Sequence, residues 1–228
     1  MSFIVIEGLD GSGKSTQLKL LKNYLENNNL SYKYLHFPRA DEGVFGDLVA
    51  RFLRGDLGKI DEVNPYLVGL IYAGDRDDAK TMINRWQEKN ELVIVDRYVY
   101  SNMAFQGAKI TDKNEKKKLH KWLIELEYNY YKIPKPEVSF FLDVPFSFTT
   151  NSLTNQRTGD DRDYLNGKKD IHEADLSFQE SVRQEYLSLI KTDNNFKLIK
   201  CYNANGQMLK PNEIFEKLID KLKTYKIV

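Results

Sequence analysis

The stretch Gly8-Leu9-Asp10-Gly11-Ser12-Gly13-Lys14-Ser15 decides the fold of this chain. It has the spacing G-x-x-x-x-G-K-[S/T], in which glycines let the backbone N–H groups turn inward towards phosphate oxygens. The apolar run Phe3–Ile6 precedes it, and the helical pattern that follows it places Leu18, Leu21 and Leu25 on one face. Because the motif requires this strand–loop–helix context, the stretch predicts a nucleoside triphosphate site rather than a chance glycine-rich turn.

The side chains of this loop predict how a triphosphate is held. Lys14 would place a compact positive charge on the transferring phosphate, and the Ser15 hydroxyl would be a ligand of Mg²⁺. The helix that follows adds its positive N-terminal end. The predicted nucleotide-binding set is Gly8, Asp10, Gly11, Ser12, Gly13, Lys14, Ser15 and Thr16. The motif specifies binding but not the reaction.

Short apolar runs alternate with helical patterns along the whole chain. The strand candidates are Phe3–Ile6, Tyr34–Phe37, Leu92–Val95, Val138–Val144 and Phe196–Tyr202. Asn64-Pro65 is typical of the start of a helix, here running towards Trp86, and Asn212 is expected to cap the last helix. The alternation predicts an α/β fold of the P-loop NTPase type. We expect a five-stranded parallel sheet with helices on both faces, as one domain over residues 1–228.

The composition excludes several classes of protein. With 34 Lys and Arg against 33 Asp and Glu, the net charge is +1, so no global field attracts the chain to nucleic acid or to an acidic membrane. One cysteine, Cys201, cannot form an internal disulfide, and it lies in an apolar strand where we expect a small core residue. No apolar run approaches the ~20 residues of a membrane span, and no targeting segment precedes the first strand. We expect a cytoplasmic protein.

Two segments lack a strong apolar period. Residues 154–173 are polar and contain Gly159 and Gly167, which predicts a mobile surface segment, a lid. Residues 109–121 are rich in lysine, and we interpret them as a solvated helix face rather than a nucleic-acid patch.

Charged residues follow two of the predicted strands. Asp96 and Arg97 follow the third strand, and Arg39 follows the second. The carboxyl ends of parallel strands face the ligand crevice, so Asp96 is placed to hold Mg²⁺ through water and Arg97 to meet a phosphate. The alternative is a surface Asp–Arg ion pair. Two arginines at two strand ends suit a phosphate monoester.

A further pair lies on the helix after Pro65. Tyr72 and Arg76 are four residues apart and share a face. A flat ring and a planar guanidinium suit a nucleobase, although spacing alone favours core packing beside a surface arginine.

From Phe3 to the region of Tyr202, the sequence resembles the thymidylate kinase (dTMP kinase) family. The markers are the loop Glu7–Thr16, Phe37-Pro38-Arg39, Tyr72-Ala73-Gly74-Asp75-Arg76, Asp96-Arg97-Tyr98-Val99-Tyr100-Ser101-Asn102 and Ala104-Phe105-Gln106-Gly107. The resemblance implies that ATP phosphorylates dTMP, giving dTDP and ADP, and that the protein is a homodimer, with Trp86 or Trp122 near its interface.

The resemblance also implies where the monophosphate and the base bind. The substrate-binding set would be Asp10, Phe37, Arg39, Tyr72, Arg76, Arg97, Ser101, Asn102 and Phe105. In this set, Arg39 and Arg97 bind the monophosphate and Tyr72 stacks on thymine. Arg76 and Asn102 read the base edge.

At the sugar, Asp10 would meet the 3′-OH and Phe105 would lie against the 2′ carbon. Because a phenyl ring offers no partner to a 2′-OH, we expect ribonucleotides to be disfavoured.

This chain departs from one branch of the family, which has arginine after the acidic residue of the loop, where Gly11 stands here. In members without that loop arginine, such as this chain, an arginine of the lid is expected to compensate. The candidates are Arg157 and Arg162, with Lys168 or Lys169 as alternatives, while Tyr164 or Glu173 would stand for the lid tyrosine of the family.

The predicted catalytic set is Lys14, Arg97, Asp10, Arg157 and Arg162, together with Mg²⁺ held by Ser15 and Asp96. The acceptor phosphate is already ionised at neutral pH, so no strong general base is required. We therefore expect structural or lid roles for the three histidines, His36, His120 and His172.

Three other functions remain as alternatives. A deoxynucleoside kinase would need a carboxylate near the 5′-OH and fewer phosphate-binding arginines. A GTPase would carry Asn-Lys-x-Asp, which this sequence lacks. An inactive nucleotide-binding module would lack the intact loop that this sequence has.

Overall fold

A parallel sheet forms the centre of the molecule in the computed structural model, which describes residues 2–154, 165, 167–168 and 170–228. Its strands are β1 (Phe3–Glu7), β2 (Tyr32–His36), β3 (Leu92–Asp96), β4 (Val138–Asp143) and β5 (Phe196–Lys200). They lie in the order β2-β3-β1-β4-β5, and each neighbouring pair is parallel. The five predicted strands are confirmed, with ends that differ from the prediction by up to two residues. Because β1 lies between β3 and β4, the loop after it opens beside the loop after β3, and the loop after β2 lies one strand further along the same edge.

Helices connect and cover these strands. They are α1 (Lys14–Asn27), α2 (Gly43–Leu53), α3 (Pro65–Glu88), α4 (Val99–Gly107), α5 (Lys113–Ile124), a π-helical segment (Glu125–Tyr130), α6 (Phe146–Thr154), α7 (Ile171–Ala174), α8 (Leu176–Ile190) and α9 (Pro211–Thr224). Asn64 caps α3 as predicted, because its side chain accepts a hydrogen bond from the backbone N–H of Tyr66. A stretch with the length and apolar character of a bilayer span does not occur among the described helices.

The alternation of side chains along β1 divides the core into two layers. Phe3 and Val5 face a layer built largely from α3, α4, α5 and α8, whereas Ile4 and Ile6 face α1 and α9. All four side chains are at most 1% exposed. The central strand is therefore apolar without interruption, as expected for a parallel strand that is covered on both faces. The predicted fold class is confirmed.

Three local predictions are wrong. The last helix begins at Pro211, and the backbone N–H of Lys210 donates to the Glu213 side chain, so Asn212 is inside the helix rather than its cap. Lys109 is not solvated, because its Nζ is buried over the ring of Phe52. The segment 154–173 is not uniformly a surface segment, because three of its described residues are buried, namely Leu165, Asp170 and His172.

Candidate active site

A cleft of about 720 Å³ opens at the carboxyl edge of the sheet. Its walls include the predicted residues Asp10, Gly11, Ser12, Gly13, Lys14, Ser15, Thr16, Phe37, Arg39, Tyr72, Arg76, Asp96, Arg97, Ser101, Asn102 and Phe105. The structure thus brings together residues that are up to 95 positions apart in sequence. Gly8 is not in the wall of the cleft, and Arg157, Arg162, Tyr164 and Lys169 lie outside the described residues.

Gly11, where the resemblance implies an arginine in one branch of the family, has a steric reason to be glycine. Its φ is +71°, and a Cβ atom there would lie 2.9 Å from the Cβ of Ser152 in α6. A side chain would therefore be strained by the backbone conformation and would also collide with the neighbouring helix. The absence of an arginine at this position follows from the close approach of α6.

Lys14 and Asp96 form the charged floor of the phosphate loop. The ammonium of Lys14 donates to the carbonyl oxygens of Gly8 and Leu9, each at 3.2 Å. Burial lowers the pKa of Lys14 to about 8, with the Arg97 charge adding to the effect. Burial alone would raise the pKa of Asp96, but the positive charge of Lys14 and its other neighbours outweigh burial and lower that pKa to about 2. Both side chains are therefore charged at neutral pH.

One carboxylate oxygen of Asp96 makes no hydrogen bond within the described residues. Its Oδ2 lies 3.2 Å from Nδ1 of His36, whereas its Oδ1 is buried with no hydrogen-bond partner among the described residues. His36 itself lines the cleft, which the sequence interpretation had not placed at the site. A buried unpaired carboxylate oxygen in a cleft that the exposed Ser15 also lines fits a hard cation such as Mg²⁺, which binds proteins through one or two such ligands and keeps waters and substrate phosphates.

Arg97 has an unusual backbone conformation, and its guanidinium is held by the carboxylate of Asp10. Its φ is +66°, and its N–H donates to the carbonyl of Ile6 at 3.0 Å. Its Nη2 donates to Asp10 Oδ1 at 2.6 Å, and Gln179 donates to Asp10 Oδ2 at 3.0 Å. Burial would raise the pKa of Asp10, but Arg97 and Lys14 lower it well below its usual value. A non-glycine residue with positive φ is uncommon, and such residues cluster at functional sites.

Glu7 is a site residue that the sequence interpretation missed. It is fully buried and accepts hydrogen bonds from the backbone N–H of Tyr98, the hydroxyl of Ser101 and the hydroxyl of Tyr186, at 2.9, 2.5 and 3.0 Å. It thereby connects the end of β1 to the segment that follows Arg97. The signal in the sequence was an acidic residue closing an apolar strand, where only a satisfied or functional carboxylate is expected.

The guanidinium of Arg39, which was predicted to bind a monophosphate, already makes hydrogen bonds within the protein. Its Nε donates to Asp75 Oδ1 and its Nη2 to the Asp75 carbonyl, both at 2.9 Å. Its Nη1 donates to the exposed Glu42 at 2.8 Å. Arg39 lines the cleft with its guanidinium already oriented by Asp75, a residue that the sequence interpretation did not single out.

Glu127, the second residue that was missed, holds two residues that line one side of the cleft, Arg76 and Asn102. Two nitrogens of Arg76 donate to its carboxylate, one of them at 2.8 Å, and Asn102 Nδ2 donates to it at 3.0 Å. Glu127 is fully buried in the π-helical segment. Its only signal in the sequence is an acidic residue just before the tyrosine-rich run Tyr128–Tyr131, which does not reveal a partner.

Asn102 presents one unpaired oxygen to this side. Its amide nitrogen also donates to the carbonyl of Gly69 at 2.9 Å, so two acceptors fix the orientation of the amide. Its Oδ1 is buried and has no hydrogen-bond partner within the described part of the chain. A buried acceptor in a cleft wall suits a ligand that brings an N–H group.

Comparison with known proteins agrees with this geometry. The sequence model of the family described as "Thymidylate kinase" matches residues 6–209. The chain belongs to the thymidylate kinase family. It is therefore a kinase.

Relatives and solved structures within the family are similar over most of the chain. A probable thymidylate kinase of Thermococcus kodakarensis is 32% identical over 204 residues, which is 87% of this chain and 89% of the relative. The thymidylate kinase of Plasmodium falciparum is 34% identical over 65% of this chain and 64% of its own length. The thymidylate kinase structure from Candida albicans has a TM-score of 0.72 at 23% identity, covering 99% of this chain and 92% of that one, and supports the fold.

Proposed function

We propose that this thymidylate kinase transfers the γ-phosphoryl group of ATP to dTMP, giving dTDP and ADP, as a step in supplying dTTP for DNA synthesis. The observation that carries the proposal is that one cleft contains both a complete phosphate loop and the unpaired Oδ1 of Asn102. A triphosphate on the loop and a base at Asn102 would then face each other across Asp96 and Arg97.

On the phosphate side, we assign the proposed chemistry to residues that neutralise and position charge. Lys14 would bind the transferring phosphoryl group, and Arg97, held by Asp10, would bind the monophosphate of the acceptor. Mg²⁺ held by Ser15 and Asp96 would neutralise charge on the phosphates. Since phosphoryl transfer depends mainly on position and electrostatics, this set needs no general base.

On the base side, we propose that Asn102 Oδ1 accepts the N3–H of thymine while Arg76 donates to O4 and Tyr72 stacks on the ring. Cytosine has a bare nitrogen at position 3 and an amino group at position 4, so it would leave buried groups unpaired. A site that reads hydrogen bonds in this way rejects the mismatched analogue by ~10⁴-fold or more, whereas one missing methyl group costs ~10–200-fold.

A coupled assay with ATP and four acceptors tests this proposal. We expect dTMP to be the best acceptor, dUMP to be weaker by a methyl-sized factor, and dCMP and thymidine to be nearly inactive. Phosphorylation of thymidine would indicate a deoxynucleoside kinase instead. If dCMP came within tenfold of dTMP, the assignment of Asn102 and Arg76 to thymine would be wrong, although the kinase assignment would survive.

The remaining proposals concern the enzyme as a whole. We propose one functional domain over residues 1–228, a requirement for Mg²⁺, a homodimer and a cytoplasmic location, without nucleic-acid or membrane partners. The lone buried Cys201 supports the cytoplasmic location, and the charge balance supports the absence of nucleic-acid and membrane partners. Arg157 or Arg162 would supply the lid arginine, and turnover of the two alanine variants, with dTMP affinity as the control, distinguishes them.

A further inference from the structure

His172 lies in the wall of the cleft among aromatic rings. It is 5% exposed, and its ring centroid is 4.9, 5.4 and 5.5 Å from those of Phe105, Phe52 and Phe178. Its Nε2 is buried and has no hydrogen-bond partner within residues 2–154, 165, 167–168 and 170–228. Because burial of an unpaired polar atom is unfavourable, a nitrogen in this position suits a ligand that supplies the missing hydrogen bond.

The position of Phe105 shows which part of a bound nucleotide would lie near His172. Phe105 is three residues after Asn102 in α4, and the Cζ of Arg97 lies 5.3 Å from the centroid of its ring. A mononucleotide with its phosphate at Arg97 and its base at Asn102 has its sugar between them, over Phe105. His172 packs against that same ring, so it lies beside the position that the sugar would take.

A single amide fixes His172 relative to the phosphate loop. Nε2 of Gln179 donates to Asp10 Oδ2 at 3.0 Å and to the backbone carbonyl of His172 at 2.9 Å. Asp10, Gln179 and His172 therefore form one hydrogen-bonded unit. The imidazole is held by the backbone on one side and by three rings on the others, while its Nε2 is unpaired.

We propose that Nε2 of His172 is a hydrogen-bond partner for a hydroxyl group on the sugar of the acceptor nucleotide, which makes His172 a specificity-determining residue. The inference rests on the proposed function, because the acceptor nucleotide supplies the sugar. It also changes the expectation for ribonucleotides, since Phe105 does not face the sugar alone.

The protonation state of His172 is consistent with this role. Burial, together with the positive charge of Lys109, lowers the pKa of His172 to about 3, so the imidazole is neutral at neutral pH. A neutral imidazole has one N–H and one bare nitrogen, and a hydroxyl can both donate and accept. Either tautomer of His172 therefore pairs with a sugar hydroxyl.

Two hydroxyl groups could be the partner, and three acceptors distinguish them. dTMP carries only the 3′-OH, 3′-deoxy-dTMP carries neither hydroxyl, and ribothymidine monophosphate carries both. We expect the His172→Phe variant, which keeps an aromatic ring in the cage, to change one ratio of kcat/KM by about tenfold. A smaller preference for dTMP over its 3′-deoxy analogue assigns the 3′-OH. A smaller ratio of the ribonucleotide to dTMP assigns the 2′-OH.

Two controls separate hydrogen bonding from packing. Phe178→Leu loosens the aromatic cage without removing the nitrogen, so both ratios should stay within twofold of the wild type. His172→Gln keeps a polar group and should recover part of the changed ratio. If His172→Phe leaves both ratios within twofold, or if Phe178→Leu reproduces its effect, the proposal is overturned.

One measurement uses the unaltered chain and does not depend on how the variants fold. The ¹⁵N signal of the His172 imidazole should shift when dTMP or ribothymidine monophosphate binds, and one of these shifts should shrink when the relevant hydroxyl is absent. Equal signals with all three nucleotides would contradict the proposal. A wild-type enzyme that fails to phosphorylate dTMP would instead refute the proposed function, and nucleotide-induced shifts would still report on His172.

Discussion

The proposed base side of the cleft, at Arg76 and Asn102, and its phosphate side, at Lys14 and Asp96, differ in how their charges are paired. On the proposed base side, Arg76 and Asn102 both donate hydrogen bonds to the buried carboxylate of Glu127. On the phosphate side, Lys14 donates to backbone carbonyls, and Asp96 has an oxygen without a partner in the described part of the chain. The Arg76 charge on the proposed base side is thus already paired within the protein, whereas Lys14 and Asp96 are available for the proposed phosphates and cation.

The largest expected effect is the loss of the carboxylate that organises the base side. Glu127→Gln leaves the Arg76 charge buried without its counterion, which should reduce the free energy of unfolding by about 3–5 kcal/mol. Denaturant unfolding at neutral pH measures it. The matched control is Glu125→Gln, because Glu125 is exposed on the same segment and should matter by less than about 0.5 kcal/mol. Equal stabilities of the two variants would show that the ion pair between Glu127 and Arg76 does not stabilise the folded protein.

A loss on the phosphate side should affect turnover instead of stability. Lys14→Ala removes a preorganised charge from the transferring phosphoryl group, so kcat should fall by ~10²–10³-fold, or about 3–4 kcal/mol. Steady-state kinetics with ATP and dTMP measure this, with Lys19→Ala on the exposed part of α1 as the control. Near-normal turnover of Lys14→Ala would mean that the loop is not catalytic.

Arg97 should separate the two nucleotides. Arg97→Ala removes a charged hydrogen-bond donor from the monophosphate, worth about 1.5–3 kcal/mol, so kcat/KM for dTMP should fall while ATP affinity changes much less. Binding of each nucleotide can be titrated separately, and Arg51→Ala at an exposed ion pair is the control. An equal loss of affinity for both nucleotides would contradict a role on the acceptor side.

The smallest expected effect is on the pH dependence of stability. Burial lowers the pKa of His172 to about 3, against ~6.5 in the unfolded chain. Between these values the unfolded state binds a proton that the folded state does not. Stability should therefore fall as the pH falls from ~6.5 towards 3, by up to about 1.4 kcal/mol per pH unit for this one group. Urea unfolding at pH 6 and pH 5 should show a shallower loss in His172→Phe, and identical slopes would contradict a neutral buried imidazole.

The difference between the two sides also explains what the sequence could predict. The phosphate side is a local motif next to a strand end, so Lys14, Ser15 and Asp96 follow from spacing and from the rule that parallel strands end at the ligand crevice. The sheet itself follows from apolar runs that alternate with helices.

The base side could not be derived in this way, because its partners are distant in sequence. Glu127 meets Arg76 across 51 residues and Asn102 across 25. Tertiary packing alone decides which buried charge lies opposite which. The sugar contact proposed for His172 could not be derived either, since a polar segment with glycines gives no sign that its one histidine enters an aromatic cage.

Amide hydrogen exchange of the free enzyme and of its dTMP complex tests the comparison between the two sides most directly. The account predicts that residues 125–130 around Glu127 are already protected in the free enzyme and change little when dTMP binds. Residues 10–15 of the phosphate loop should gain protection mainly when ATP and Mg²⁺ are added. Fast exchange at residues 125–130 in the free enzyme, with protection only in the dTMP complex, would contradict a base side that is built in advance.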